Sequence, residues 1–442
     1  MKLLLHPARV VALVFLAAIG VGTFILMQPI SHAEGGAVPW ATAFFTAVSA
    51  VCVTGLVVVD TGTYWSTFGQ SVILLLFQLG GFGIMTVATL LGLMVNSRLR
   101  LRTKMVAQLQ SRSLGVGDIA GVAKLVLVVT FASELITTVW LTLRLHWGYG
   151  QSWADAAWSG LFHAVSAFNN AGFSIYPDSL MHYATDTWIL LPVMAAIIIG
   201  GIGFPVLYDL RSRFNHPHRW SLHTKLTLSG TAILLVVGFI TLLLFEWDHS
   251  TTLGPMAVTD KVLSAAFASV SARTAGFNSI DMGALTPESW AVHYFLMFVG
   301  GGSAGTAGGV KVGTVAILVL LVIAEIRGHS DCEAFGRRVG AAAQRQAITV
   351  LVLSSALIVL ATLFILRETA LPTDQVIFEV ISAFGTVGLS TGITAELPTS
   401  SQLVLTLLMF AGRVGTITLA ASLALGKHRM PYRYPEEHPI VG

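Results

Sequence analysis

The sequence predicts an all-α, polytopic membrane protein in which one helix–loop–helix unit is repeated four times. Three observations carry that reading: scarce charge, apolar runs of bilayer length, and a short polar tract that recurs four times in the same setting. Of 442 residues, 55% are hydrophobic and 11% charged, whereas a soluble domain carries about 25% charged residues. Residues 10–27 and 70–95 contain no charged side chain, and about 18 such residues suffice to cross a bilayer as a helix.

The first run imitates a secretory leader. Lys2 and Arg9 precede or open it, and Ser31-His32-Ala33 follows it in the manner of a cleavage site. A leader's apolar region usually runs to about 7–15 residues. This one is longer and many spans follow, so it reads as a first transmembrane helix. Cys52 and Cys332 are the only cysteines; they belong to no CxxC pair and read as two free thiols.

The net charge is +3, and its distribution is more informative than its size. Basic residues cluster at Arg98, Arg100, Arg102, Lys104 and Arg112, then at Arg211, Arg213, Arg219 and Lys225, then at Arg327, Arg337, Arg338 and Arg345, and finally at Lys427, Arg429 and Arg433. Acidic residues, among them Asp60, Asp178, Asp281 and Glu396, occupy the intervening loops. The positive-inside rule makes the basic loops cytoplasmic. This predicts a multi-pass protein of the cytoplasmic (plasma) membrane with both termini in the cytoplasm. Because the basic patches fall at the ends of spans, they report topology rather than nucleic-acid binding.

The repeated tracts read SAVCVTGLV at 49–57, SAFNNAGFS at 166–174, SARTAGFNS at 271–279 and SAFGTVGLS at 382–390. Each lies between a short apolar segment and a second apolar span. The outward spans are about 9–27, 122–145, 224–246 and 346–366. The short segments are about 39–51, 153–168, 259–272 and 374–384, too short to cross a bilayer, and they read as re-entrant helices. The inward spans are about 70–95, 187–209, 290–326 and 402–425. Non-helical backbone at membrane depth is tolerated only where protein buries it or where it lines a watery path. Glycines 55, 172, 276 and 388 permit an extended or left-handed backbone. Four such tracts about one axis would present a ring of carbonyl oxygens able to replace the hydration shell of a monovalent cation such as K⁺. The third tract is one residue shorter between its serine and glycine, so the ring need not be fourfold. Packing alone explains one glycine in a transmembrane segment, but not four in one setting.

These tracts resemble the Trk/Ktr/HKT superfamily of potassium transporters over nearly the whole chain, and most of all the Ktr membrane subunit (KtrB type). The resemblance implies four consecutive helix–pore-loop–helix repeats around a pseudo-fourfold pore, with eight transmembrane helices plus four re-entrant pore helices. The repeats would span residues 1–112, 113–219, 220–340 and 341–442, the third with a broken inward helix and a gating loop and the fourth with the C-terminal tail. It places the selectivity filter at Val53, Thr54 and Gly55; Asn170, Ala171 and Gly172; Thr274, Ala275 and Gly276; and Thr386, Val387 and Gly388. K⁺ is the implied cargo, bound by backbone carbonyls, with Na⁺ as a stimulating ion in the Ktr branch. The implied partners are membrane lipid, a second copy in a homodimer, and a cytoplasmic nucleotide-binding ring of KtrA type. No tract has the two glycines at the fixed spacing of TVGYG in tetrameric potassium channels, which points to fewer well-formed ion sites.

Residues 300–313 read GGGSAGTAGGVKVG, and six glycines with a serine among the first ten would weaken any helix. The third inward span should therefore break there. The family has an intramembrane gating loop at this place, which assigns that role to Gly300, Gly301, Gly302, Ser303, Ala304, Gly305, Thr306, Ala307, Gly308, Gly309 and Lys311, with the loop ending near Gly313. A phosphate-binding loop is excluded, because that motif needs Gly-Lys-Ser/Thr and Lys311 stands between Val310 and Val312. Arg413 lies inside an apolar run, where an arginine costs about 2.5–3.5 kcal/mol on insertion scales, so it should face the bundle interior. The family has a basic residue here beneath the filter, which implies a pore-proximal charge. Arg273 is expected to brace the third tract through carbonyls, and Asn169 and Asn170 the second. His216, His218 and His223 read as a solvated basic loop. No paired carboxylates, nucleophile–base pair or nucleotide motif emerges, and no enzyme is expected. The alternative is a coupled secondary transporter of Na⁺ or H⁺ with another solute, for which Glu134 and Glu325 are the candidate intramembrane acids.

Overall fold

The computed structural model describes residues 7–82 and 116–415. Helices dominate them. The first unit has α1 (Pro7–Leu26), the short α2 (Trp40–Val51) and α3 (Thr67–Phe82). The second has α4 (Val116–Tyr149), short α5 (Trp153–Asn169), α6 (Thr187–Ile202) and α7 (Phe204–Arg213). The third has α8 (Leu222–Glu246), short α9 (Val258–Ser271), α10 (Pro287–Phe298) and α11 (Val312–Ile326). A two-stranded hairpin, β1 (Glu333–Ala334) with β2 (Arg337–Arg338), leads to α12 (Ala341–Glu368), short α13 (Thr373–Gly385) and α14 (Thr399–Val414).

Local chemistry sets these boundaries. Helix N-termini leave backbone N–H groups unpaired, and Ser, Thr and Asp side chains supply acceptors. Ser152 Oγ accepts from Asp155 N–H at 3.1 Å and opens α5. Asp186 Oδ1 does the same for α6, and Ser221 Oγ for α8. Pro287 occupies the first turn of α10, where its missing N–H costs nothing. Asp186 also ties α4 to α6, since Arg144 Nε and Tyr149 Oη both donate to its Oδ2, at 2.8 and 2.9 Å.

Among the described residues, three helices are long and apolar enough to span a membrane: 124–149 within α4, α8 and α12. Their outer faces expose large apolar side chains, including Phe131, Leu135, Ile240, Leu244, Leu360 and Leu363, as lipid-facing surface requires. The four short helices lie inside this shell and are buried towards their C-terminal ends.

The inward spans differ from uninterrupted helices. Residues 187–209 are bent by 95° between α6 and α7, at Gly203, whose φ is +97°. Residues 290–326 break between α10 and α11. The fourth inward helix is described to Val414 and the first to Phe82; the rest of the expected spans 70–95 and 402–425, and the basic clusters at 98–112 and 427–433, lie outside the described residues.

Candidate functional site: a glycine ring above a buried loop

Each short helix ends in the same way. Two residues before the tract glycine stands a residue in the left-handed region: Val53 (φ 57°), Asn170 (φ 58°), Thr274 (φ 73°) and Thr386 (φ 50°). The glycine follows at φ 90°, 69°, 80° and 95°. Positive φ is unfavourable for any side chain and most so for β-branched ones. Three β-branched residues held there, in equivalent places, mark backbone fixed by its surroundings. The N–H before each glycine turns back to the helix end: Thr54 to Ser49 O, Ala171 to Ser166 O, Ala275 to Ser271 O and Val387 to Ser382 O, at 2.8–2.9 Å. The shorter third tract is accommodated here. Its turned-back bond, from Ala275 to Ser271, spans four residues where the other three span five, while the left-handed residue and glycine keep the register of the other three.

The four glycines form a closed ring. A Cβ on Gly55 would meet Ala171 O and stand 3.0 Å from Gly172 Cα; one on Gly172 would stand 2.9 Å from both Ala275 O and Gly276 Cα. One on Gly276 would meet Val387 O and Gly388 Cα, and one on Gly388 would meet Thr54 O and Gly55 Cα. Each missing side chain thus leaves room for the backbone of the next tract, in chain order and back to the start. Glycine also lets the inward helices approach. Gly80, Gly200 and Gly412 would place a Cβ against the carbonyls of Val51, Phe168 and Phe384, near the ends of the short helices.

The ring forms the floor of an open cavity of about 450 Å³ whose lining includes Gly55, Gly172, Gly276 and Gly388 together with Asp60, Asp178 and Asp281. On the helix side lies the loop between α10 and α11. Its neck is closed by Gly300 N–H to Val310 O at 2.8 Å and Val312 N–H to Gly301 O at 3.1 Å. Its body is mostly buried and nests against the bend of the second unit: Gly302 N–H donates to Gly201 O at 2.8 Å, and Thr306 N–H to Gly200 O at 3.2 Å. Gly308 lies against the Thr386 side chain.

Three cationic side chains converge on this loop. Arg413 donates to Thr306 O and, at 3.0 Å, to Gly80 O. Lys311 Nζ donates to Ala307 O and Gly308 O. Arg273 Nη2 donates to Gly300 O at 3.0 Å and its Nη1 to Thr231 O. Arg413 is therefore interior, and Arg273 braces the loop from the third tract. Asn169 donates to Val165 O, Gln78 Oε1 and Glu134 Oε1, which joins the second tract to α3 and α4. Helix resumes at Val312, so the non-helical stretch ends at Lys311, two residues before Gly313.

Sequence reasoning missed three features. The bend at Gly203 had a signal in Gly200-Gly201-Ile202-Gly203-Phe204-Pro205, a glycine cluster with proline at the next helix start. The carbonyl bonds of Lys311 had none. Nor had the buried polar residues His163 and Glu379, which bond to segments just past two of the glycines.

Comparison with known proteins finds cation transporters. A family model described as TrkH, cation transport protein, matches residues 10–428. The chain is 39% identical to Ktr system potassium uptake protein B of Bacillus subtilis, over 99% of this chain and 97% of that one. It is 36% identical to potassium/sodium uptake protein NtpJ of Enterococcus hirae, over 99% and 98%. The crystal structure of the potassium transporter TrkH from Vibrio parahaemolyticus has a TM-score of 0.73 and 18% identity, covering 94% of this chain and 84% of that one.

Proposed function

The chain belongs to the TrkH family of cation transport proteins, and we propose that it is the ion-conducting subunit of a Ktr-like potassium uptake system. The four units are repeats about a pseudo-fourfold pore. K⁺ passes through a filter formed by the backbone carbonyls of 53–55, 170–172, 274–276 and 386–388, and the loop from Gly300 to Lys311 is the gate beneath it. The observation that carries this reading is the closed ring of glycines: four tracts from distant parts of one chain meet with room for backbone only. The short helices end at the ring, and helix C-termini carry partial negative charge that favours a cation. Asp60, Asp178 and Asp281 around the open cavity add to that field.

The driving force is the membrane potential, about 2.3 kcal/mol per charge per 100 mV. A homodimer, Na⁺ as a stimulating ion and a nucleotide-binding ring on the basic cytoplasmic face complete the system; the Ktr system names of three relatives support a further subunit. The potassium/sodium name of another makes the degree of K⁺ preference the first quantity to measure.

The test is K⁺ and Na⁺ flux into liposomes at an imposed potential. Wild type should pass K⁺ in preference to Na⁺, Gly276→Ser should admit Na⁺, and deletion within 303–308 should raise flux. If wild type moves neither ion, even with the cytoplasmic ring added, the pore reading fails and coupled transport of another solute takes its place.

A further inference from the structure

Two buried polar side chains have no part in the reading above. His163 lies on α5 and Glu379 on α13, with exposures of 2% and 0%. Each stands nine residues before its tract glycine, Gly172 or Gly388, and each reaches the serine two residues beyond it. Glu379 accepts from Ser390 Oγ, from Thr391 N–H at 3.1 Å and from Thr394 Oγ1 at 3.0 Å. His163 Nδ1 lies 2.8 Å from Ser159 O, which can only accept, so Nδ1 carries the proton. Nε2 is then the acceptor for Ser174 Oγ at 2.9 Å. The imidazole also stacks on Tyr176, with ring centroids 4.8 Å apart, and Tyr176 Oη bonds to Ser159 Oγ at 2.5 Å.

The other two tracts lack this bridge. The equivalent pairs are Thr46 with Val57 and Phe267 with Asn278, and neither Val57 nor Phe267 has a side-chain polar atom. In the ring, Gly172 adjoins Gly55 and Gly276, and Gly388 adjoins Gly276 and Gly55. The bridged tracts are therefore opposite members and the unbridged tracts are the other opposite pair.

We propose that His163 and Glu379 are positioning residues that determine ion specificity by stapling two opposite tracts to their own short helices. This rests on the filter reading. Whether K⁺ is chosen by cavity size or by the number and field of the carbonyls, those oxygens must be held in place. On the helix side of the glycine every tract is held by its turned-back N–H. On the far side Ser166 and Ser271 also donate to the carbonyls of Phe173 and Phe277, one residue past their glycines, but only the second and fourth tracts are tied to their own helix two residues past the glycine. A carboxylate taking three donors is a strong tie of this kind; the imidazole–serine bond is a weaker, neutral one. The ring is thus held by an additional tie across one diagonal that the other diagonal lacks.

The experiment compares K⁺/Na⁺ permeability ratios in liposomes for the whole protein. Glu379→Ala should lower the ratio about fivefold and His163→Ala about threefold, with K⁺ flux retained. Glu379→Gln keeps one carbonyl acceptor for Ser390 and Thr391 and should recover most of the wild-type ratio. Ser390→Ala and Ser174→Ala remove only the partner hydroxyls and should shift the ratio in the same direction. Thr46→Val, the same position in an unstapled tract, should leave it unchanged. Wild-type ratios in Glu379→Ala and His163→Ala, with Gly276→Ser still admitting Na⁺, would overturn the staple and leave the filter standing. If Gly276→Ser also keeps the wild-type ratio, the filter reading itself falls. Should Glu379→Ala not fold, Ser390→Ala and Ser174→Ala decide: wild-type ratios in both overturn the proposal.

Discussion

Two glycine-rich regions adjoin one another in this protein and are held by different means. The ring has one glycine per tract, all four at positive φ, each filled against by the backbone of its neighbour. The loop between α10 and α11 has six glycines between 300 and 309, of which only Gly309 has positive φ. Most of the others serve close approach, to Gly201 O, Ile202 O or the Thr386 side chain. The ring is locked by covalent neighbours and backbone packing, which cannot be withdrawn without moving a whole tract. The loop is held by a few backbone bonds, at its neck and to Gly200 and Gly201, and by three side chains donating to its carbonyls, and a side chain can rotate away. On the proposed reading, the same residue type builds a fixed element in one place and a releasable one in the other.

The largest effect should come from breaking the fixed element. Gly388→Ala puts a methyl group against Thr54 O in an unfavourable backbone region, and should cut the K⁺/Na⁺ ratio about tenfold, equivalent to about 1.4 kcal/mol, as read from ion flux in liposomes. Next is the releasable element. Arg413→Gln removes two charge-assisted hydrogen bonds, each worth about 1.5–3 kcal/mol. It should raise K⁺ flux about tenfold while the ratio is kept; lowered flux at an altered ratio would place Arg413 with the ring instead. Lys311→Met removes two bonds to neighbouring carbonyls of the same loop and should raise flux by a smaller factor, about threefold on the same scale. The smallest effect on transport is expected from Glu246→Gln, outside both regions. Glu246 is fully buried and accepts from Thr252 Oγ1, Thr286 N–H and Thr286 Oγ1. Its loss should cost about 1–3 kcal/mol of stability, seen as a lower Tm in detergent with an unchanged ratio in the protein that remains folded.

Much of the architecture was legible because the short helices are bounded by strong local signals. Their expected limits, 39–51, 153–168, 259–272 and 374–384, fall within one residue of the observed helices, since a cap or proline opens three of them and a polar glycine tract closes all four. The break near residue 300 was legible for the same reason. The bend at Gly203 was not, because an apolar run reads alike whether it crosses the bilayer straight or turns within it. Arg413 announced itself by the cost of its charge, but not the carbonyls that receive it. His163 and Glu379 were hidden because their partners lie beyond the tract, and a distance of nine residues along a helix carries no meaning until the chain has turned back on itself.

The ring closes head to tail, and this has a consequence for how it can be altered. In a pore assembled from four identical chains, one substitution appears at all four seams together. Here Gly55 faces the second tract, Gly172 the third, Gly276 the fourth and Gly388 the first, and every seam has its own address in the sequence. A single codon change strains one seam, in one direction of travel around the circle, and leaves three in their original form. If the ring is the proposed filter, the four walls of one passage can be varied separately, and the contribution of each wall read against three that serve as its internal standard.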